Sequence, residues 1–232
     1  MTVFLVVTVV SGSLVVGAGL GVSGWLPDTI EGLLVALAGG SLLVSTSLEL
    51  FEPATEIIDV WVLALSVLGG AVAFSVLDHV VDETWGGDSG GGLLAAITLD
   101  GLPENLALGV SLIGTGALGA AALSGSILLS NLPEAAGGAK QMREDDRSGS
   151  TVIALWAGTA VLLSMAAFAG YLALADVPDG WLAALRCFAG GAVVASLATE
   201  VFPEAFREGG YTTGVATAAG AVLAIALGRL GS

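Results

Sequence analysis

Positive charge is what this 232-residue chain has least of: one lysine (Lys140) and five arginines stand against 21 acids, for a formal net charge of −15. So acidic a chain is excluded from nucleic-acid binding and from anionic-lipid recognition, both of which need clustered Lys and Arg. Cysteine is limited to Cys187 and histidine to His79. One thiol rules out an intrachain disulfide framework and a Cys-based metal cage, and reads as a small buried apolar residue. No Ser/His/Asp or Cys/His arrangement is visible, so no enzyme is expected. Charge of either sign is scarce, at 12% of residues against about 25% in soluble domains.

What fills the chain instead is apolar: 55% hydrophobic residues and a mean hydropathy of +0.94. Roughly 20 apolar residues cross a bilayer as a helix. Eight such stretches can be marked, at 2–22, 31–52, 59–81, 92–114, 117–138, 150–174, 182–204 and 212–230. They predict an all-α, polytopic transmembrane bundle occupying residues 1–232 as one membrane domain, embedded in a cell membrane. The start, Met1 to Val16, lacks a basic stretch and an obvious cleavage site, and is read as the first span. The joining segments carry turn residues: Pro27-Asp28, the Gly-rich run from Trp85 to Gly92, the polar run Lys140 to Ser150, and Pro178-Asp179-Gly180. The Gly-rich run has no lysine and follows no strand, which argues against a phosphate loop. The 35 glycines read as close helix packing. With the N-terminus outside, Lys140, Arg143, Arg147 and Arg207 fall on the cytoplasmic side and Arg186 and Arg229 on the other, the asymmetry of the positive-inside rule.

The chain also repeats itself. Gly39 to Ala54 aligns without gaps with Gly190 to Ala205, pairing Glu49 with Glu200 and Phe51 with Phe202. Ile97-Thr-Leu-Asp100-Gly-Leu-Pro103-Glu104 matches Ile127-Leu-Leu-Ser130-Asn-Leu-Pro133-Glu134. Each pair joins an even-numbered to an odd-numbered span, so its members would cross the bilayer in opposite directions, in a 3+2+3 inverted repeat.

Carboxylates inside such a bundle cost roughly 2.5 to 3.5 kcal/mol each on insertion scales. Asp100 and Glu104 fall deep in span 4, Glu134 falls in span 5, and neither stretch holds a Lys or Arg to pair with them. Unpaired negative charges at low dielectric call for protons or a bound cation. Asp100 and Glu104 are i, i+4 neighbours on one helix face, as are Ser130 and Glu134, and Asn131 adds an amide oxygen. Pro103 and Pro133 free the carbonyls of Leu99 and Leu129. Facing oxygen donors of this kind suit a divalent cation.

These two stretches resemble the ZIP (Zrt/Irt-like) metal transporters, whose fourth and fifth spans carry His-Asn-x-Pro-Glu-Gly or close variants. Here they read Asp100-Gly-Leu-Pro103-Glu104-Asn105 and Ser130-Asn131-Leu-Pro133-Glu134-Ala135. The resemblance extends to the eight spans, the 3+2+3 repeat, the N-out orientation, and the endings of spans 2 and 7. It departs from the family in lacking both histidines and one asparagine, and span 6 offers only groups such as Ser164 and Thr159. What the resemblance implies is transport of divalent metal (zinc, manganese or iron) as substrate toward the cytoplasm, and an assembly that is often a homodimer. The expected metal ligands are Asp100, Glu104, Asn131 and Glu134, with Ser130 peripheral. An all-oxygen set makes Mn²⁺ or Fe²⁺ as plausible as Zn²⁺, with Mg²⁺ behind them.

Glu49, Glu52, Glu200 and Glu204 end spans 2 and 7 and are candidates for the pathway entrance and exit, or for solvated helix ends. His79, beside Asp78 and Asp82, is read as a structural or solvated residue. Two other functions fit the same residues: a proton-coupled carrier of another solute with Asp100 and Glu104 as relays, and a degenerate, non-transporting metal-binding or structural membrane protein.

Overall fold

A computed structural model describes residues 2–24, 27–85, 90–114, 120–174 and 176–229, and within them the chain is helical without a strand. The long helices are α1 (Thr2–Ser23), α2 (Asp28–Thr46), α3 (Val60–Trp85), α4 (Gly90–Ser111), α5 (Ala121–Glu144), α6 (Gly149–Ala173), α7 (Asp179–Ser196) and α8 (Thr213–Gly228). Each overlaps one of the expected apolar stretches, with ends that differ by up to eight residues; residues 117–119 and 230 of those stretches, and 86–89 of the Gly-rich run, lie outside the described residues.

Helix starts follow from local chemistry. Extended Pro27 and Pro178 precede α2 and α7, where a missing N–H costs nothing. Ser148 opens α6, its hydroxyl accepting from the Thr151 N–H at 3.2 Å. α1 stops at Gly24, whose φ of 66° a side chain would resist.

Two helices carry a feature the apolar pattern does not announce. α2 runs into a π turn, Ser47–Phe51, followed by Glu52–Ala54; α7 runs into a second, Leu197–Val201, followed by Phe202–Gly209. Pro53 and Pro203 stand just beyond. Each proline lacks the donor for the carbonyl four residues back and would clash with it, and a π turn widens the helix there. Glu49 and Glu200 sit within these turns.

Five helical stretches among the described residues are long and apolar enough to cross a membrane: Thr2–Ser23, Asp28–Ala54, Val60–Val81, Gly149–Ala173 and Asp179–Gly228. Their outer faces are apolar. Along α3, for example, Val60, Trp61, Leu65, Leu68, Val72 and Val76 are all exposed, as a lipid-facing helix requires. The chain is thus a helical membrane protein. α4 and α5 are not in that set, and they are the helices that carry Asp100, Glu104, Asn131 and Glu134.

Glycine brings the helices together. A Cβ on Gly40 would strike the carbonyl of Thr217, and one on Gly220 the carbonyl of Leu37, sealing α2 against α8; Gly191 meets the carbonyl of Val67 and Gly70 that of Phe188, sealing α7 against α3. In the same way Gly21 of α1 lies on the Ala136 carbonyl of α5, and Gly170 of α6 on the Leu106 carbonyl of α4. Gly39 packs on the Phe202 ring and Gly190 on the Phe51 ring. α5 is packed among α1, α2, α4, α6 and α8. Around it lies the main core, with Val7, Leu42, Leu108, Leu123, Ile127 and Leu197 fully shielded.

Candidate functional site

The site begins with α4 and α5, which touch one another and hold their prolines inside the helix. Asp100, Glu104 and Glu134 are 8%, 2% and 9% exposed, so all three carboxylates face the bundle interior and not its lipid-facing surface. They lie within electrostatic reach of one another: Asp100 of Glu134, Glu104 of Asp100, and Glu134 of Glu104. Asp100 Oδ1 and Glu134 Oε1 are buried with no hydrogen-bond partner. The Ser196 hydroxyl of α7 lies beside Asp100, within reach to donate to its carboxylate.

The amides and hydroxyls have divided roles. Asn131 donates from Nδ2 to the Val10 carbonyl at 2.9 Å, tying α5 to α1. Ser130 Oγ donates to the Ile127 carbonyl at 3.1 Å, a bond within its own helix that leaves it a minor contributor to any site. Asn105, fully buried, donates from Nδ2 to the Gly101 carbonyl at 2.9 Å, while its Oδ1 has no partner. Neither Asn105 nor Ser196 was among the expected site residues. On α6, Thr159 reaches the Thr98 hydroxyl at 3.5 Å and Ser164 bonds back to the Ala160 carbonyl.

Of the candidate gate residues, Glu49 has a structural task. Its Oε1 accepts from the Leu123 N–H at 2.9 Å, capping the first turn of α5, where a carboxylate meets the positive end of the helix dipole. Its other oxygen, Oε2, is buried and unpartnered. Glu52 is exposed, and Glu200 and Glu204 are half-buried. His79 is exposed and pairs with Glu83 at 3.4 Å on the surface of α3.

The tightest carboxylate group among the described residues is a different one. Glu31, Glu204 and Glu208 bring a ligand oxygen each to within 4.8 Å of one another, closer than Asp100, Glu104 and Glu134 are held. Gly32 of α2 allows this approach, since a Cβ there would meet Glu208 Cβ at 2.7 Å. The trio lines a cavity of about 220 Å³ shared with Asp28, Lys140 and Arg207. Lys140 Nζ donates to Asp28 Oδ1, and that neighbouring carboxylate holds the ammonium above its ordinary range. Glu31 and Glu208 went unpredicted. The available signal was the i, i+4 spacing of Glu204 and Glu208, the same cue that drew attention to Asp100 and Glu104.

Taken together the acids form a series. Asp100 and Glu104 are within electrostatic reach of Glu134, Glu134 is within reach of Glu204, and Glu204 stands beside Glu31 and Glu208. A row of oxygen donors from the interior of the bundle to one of its ends can hold cations or hand on protons. No protein-family model matches this chain, and no curated protein matches it.

Proposed function

We propose that this protein transports divalent metal cations, manganese, iron or zinc, through a site built from Asp100, Glu104, Asn131 and Glu134, and that it does so as a divergent relative of the ZIP transporters. The observation that carries the reading is the pair of buried, unpartnered carboxylate oxygens, Asp100 Oδ1 and Glu134 Oε1, on two facing helices interrupted by proline. A bare carboxylate pair in such surroundings is costly, and a hydrated or partly dehydrated cation offsets that cost directly. Asn105 Oδ1 adds a further buried oxygen with nothing to accept from.

The architecture in this reading is eight spans in a 3+2+3 inverted repeat. Its support is reciprocity of packing. If α1, α2, α3 and α4 are exchanged with α6, α7, α8 and α5, the α2–α8 seam becomes the α7–α3 seam, and the α1–α5 seam becomes the α6–α4 seam. Individual contacts follow the exchange: Gly39 on Phe202 becomes Gly190 on Phe51, and Gly21 on Ala136 becomes Gly170 on Leu106. With the N-terminus outside, Glu49 and Glu52 lie toward the outer mouth and Glu200 and Glu204 toward the cytoplasmic one. The ion enters past the first pair, exchanges water for the carboxylates of α4 and α5, and leaves past the second. Rocking of one helix set against the other switches access, as inverted repeats allow. Two copies assemble as a homodimer in the membrane.

The test is metal-dependent thermal stabilisation of the detergent-solubilised protein. Mn²⁺ or Zn²⁺ at 100 times its dissociation constant stabilises by about 2.7 kcal/mol per site, and Glu104→Gln with Glu134→Gln should remove the part of the shift that the α4–α5 site supplies. A shift that both substitutions leave at its full wild-type size would place the metal elsewhere and leave Asp100 and Glu104 as proton relays for another solute.

A further inference from the structure

We infer that Glu31, Glu204 and Glu208 form a second cation site, a three-carboxylate seat for a hard divalent ion at the end of the bundle that carries Lys140 and Arg207. This inference stands on the geometry of the trio; only its assignment to the exit of a metal pathway rests on the transport reading.

The geometry fits an ion. Oxygens that share a divalent cation at about 2.0 to 2.6 Å lie at most roughly 4 to 5 Å from one another, which matches three ligand oxygens within 4.8 Å. The observation that points beyond a mere acidic cluster is Glu31. It is only 3% exposed, lines the cavity, and accepts no hydrogen bond from any described residue. Opposite it stands Gly137 of α5, where a Cβ would collide with Glu31 Oε1. The room the carboxylate occupies therefore exists because position 137 has no side chain. Glu208 Oε2 is also buried without a partner.

Lys140 lines the same cavity but does not fill this role, since its ammonium is engaged by Asp28 at the rim. Five acids and two bases line the cavity in all, so the wall carries a formal excess of three negative charges. One divalent ion offsets most of it. With carboxylates and no imidazole or thiolate, the site is hard and suits Mn²⁺ or Mg²⁺ over zinc held by nitrogen or sulfur.

The experiment counts Mn²⁺ bound to the purified full-length protein by the loss of the free-ion EPR signal. Wild type should bind an equivalent that disappears in Glu31→Gln and in Glu208→Gln but persists in the Glu104→Gln, Glu134→Gln double variant. Gly137→Ala, which displaces Glu31 without removing it, should weaken that equivalent about 10- to 100-fold. Metal-free Glu31→Gln should unfold no lower than wild type, because a buried like-charge neighbour is gone, so lost binding cannot be ascribed to misfolding. An unchanged count in Glu31→Gln, or an equivalent lost only in the double variant, would overturn the site. Should the midplane carboxylates bind nothing, the Glu31-dependent equivalent would still be counted, so the two sites fail separately.

Discussion

Replacing Gly40 or Gly191 by alanine probes the glycine seams directly. At both positions the Cβ would lie well inside the 3.0 Å that real Cβ contacts keep, and the obstacle is a backbone carbonyl, Thr217 or Val67, which cannot swing aside as a side-chain tip can. Helices α2 and α8, or α7 and α3, must therefore part by on the order of 1 Å, and overpacking of this kind costs up to about 3 kcal/mol. Alanine recovers about 1 kcal/mol of helix propensity, leaving a net loss of about 2 kcal/mol at each site. Gly158 is the control, since a Cβ there meets nothing within 4 Å, and Gly158→Ala should be neutral or slightly stabilising. Thermal unfolding in one detergent, followed by aggregation-sensitive size exclusion, reads all three variants. If Gly40→Ala and Gly191→Ala unfold at the temperature of Gly158→Ala, the seams are not closed by glycine and the reciprocal packing loses its basis.

Other expectations concern single hydrogen bonds and the cap. Asn131→Ala should cost about 1 kcal/mol by releasing the Val10 carbonyl, with Asn131→Asp worse because it adds a buried charge; the same unfolding assay reads both. Glu49→Ala should destabilise by about 1 kcal/mol through loss of the α5 cap, and Glu49→Gln by less because an acceptor remains for the Leu123 N–H. Arg186→Met should cost about 1.5 to 3 kcal/mol, since the guanidinium donates to the Val110 and Ile113 carbonyls at 3.1 and 3.3 Å and closes the end of α4.

Much of the helical plan could be read from residue order alone because membrane helices announce themselves by continuous apolarity. The same cue marked α4 and α5, and the matched Leu-Pro-Glu pairs then singled out their acids. Asp100, Glu104, Ser130, Asn131 and Glu134 are all buried, as an interior site demands. What stayed hidden depends on meetings between distant parts of the chain. Glu31 looks like an ordinary acid in the first turn of α2 until the Phe202–Gly209 helix brings Glu204 and Glu208 beside it. Ser196 is one of many serines until it comes to lie next to Asp100. Glu49 read as a gate residue, and only the start of α5 reveals that one of its oxygens caps a helix. The π turns needed Pro53 and Pro203 to be weighed against an otherwise unbroken helical pattern.

Uptake into proteoliposomes loaded with a metal-sensitive dye bears most directly on the central claim, that acids of α4 and α5 pass a divalent ion across the membrane. Wild-type protein should admit Mn²⁺, Fe²⁺ or Zn²⁺, and Glu104→Gln and Glu134→Gln should abolish that influx with both variants inserted at wild-type levels. Absence of flux for every first-row divalent ion, or flux that ignores both substitutions, would contradict the claim.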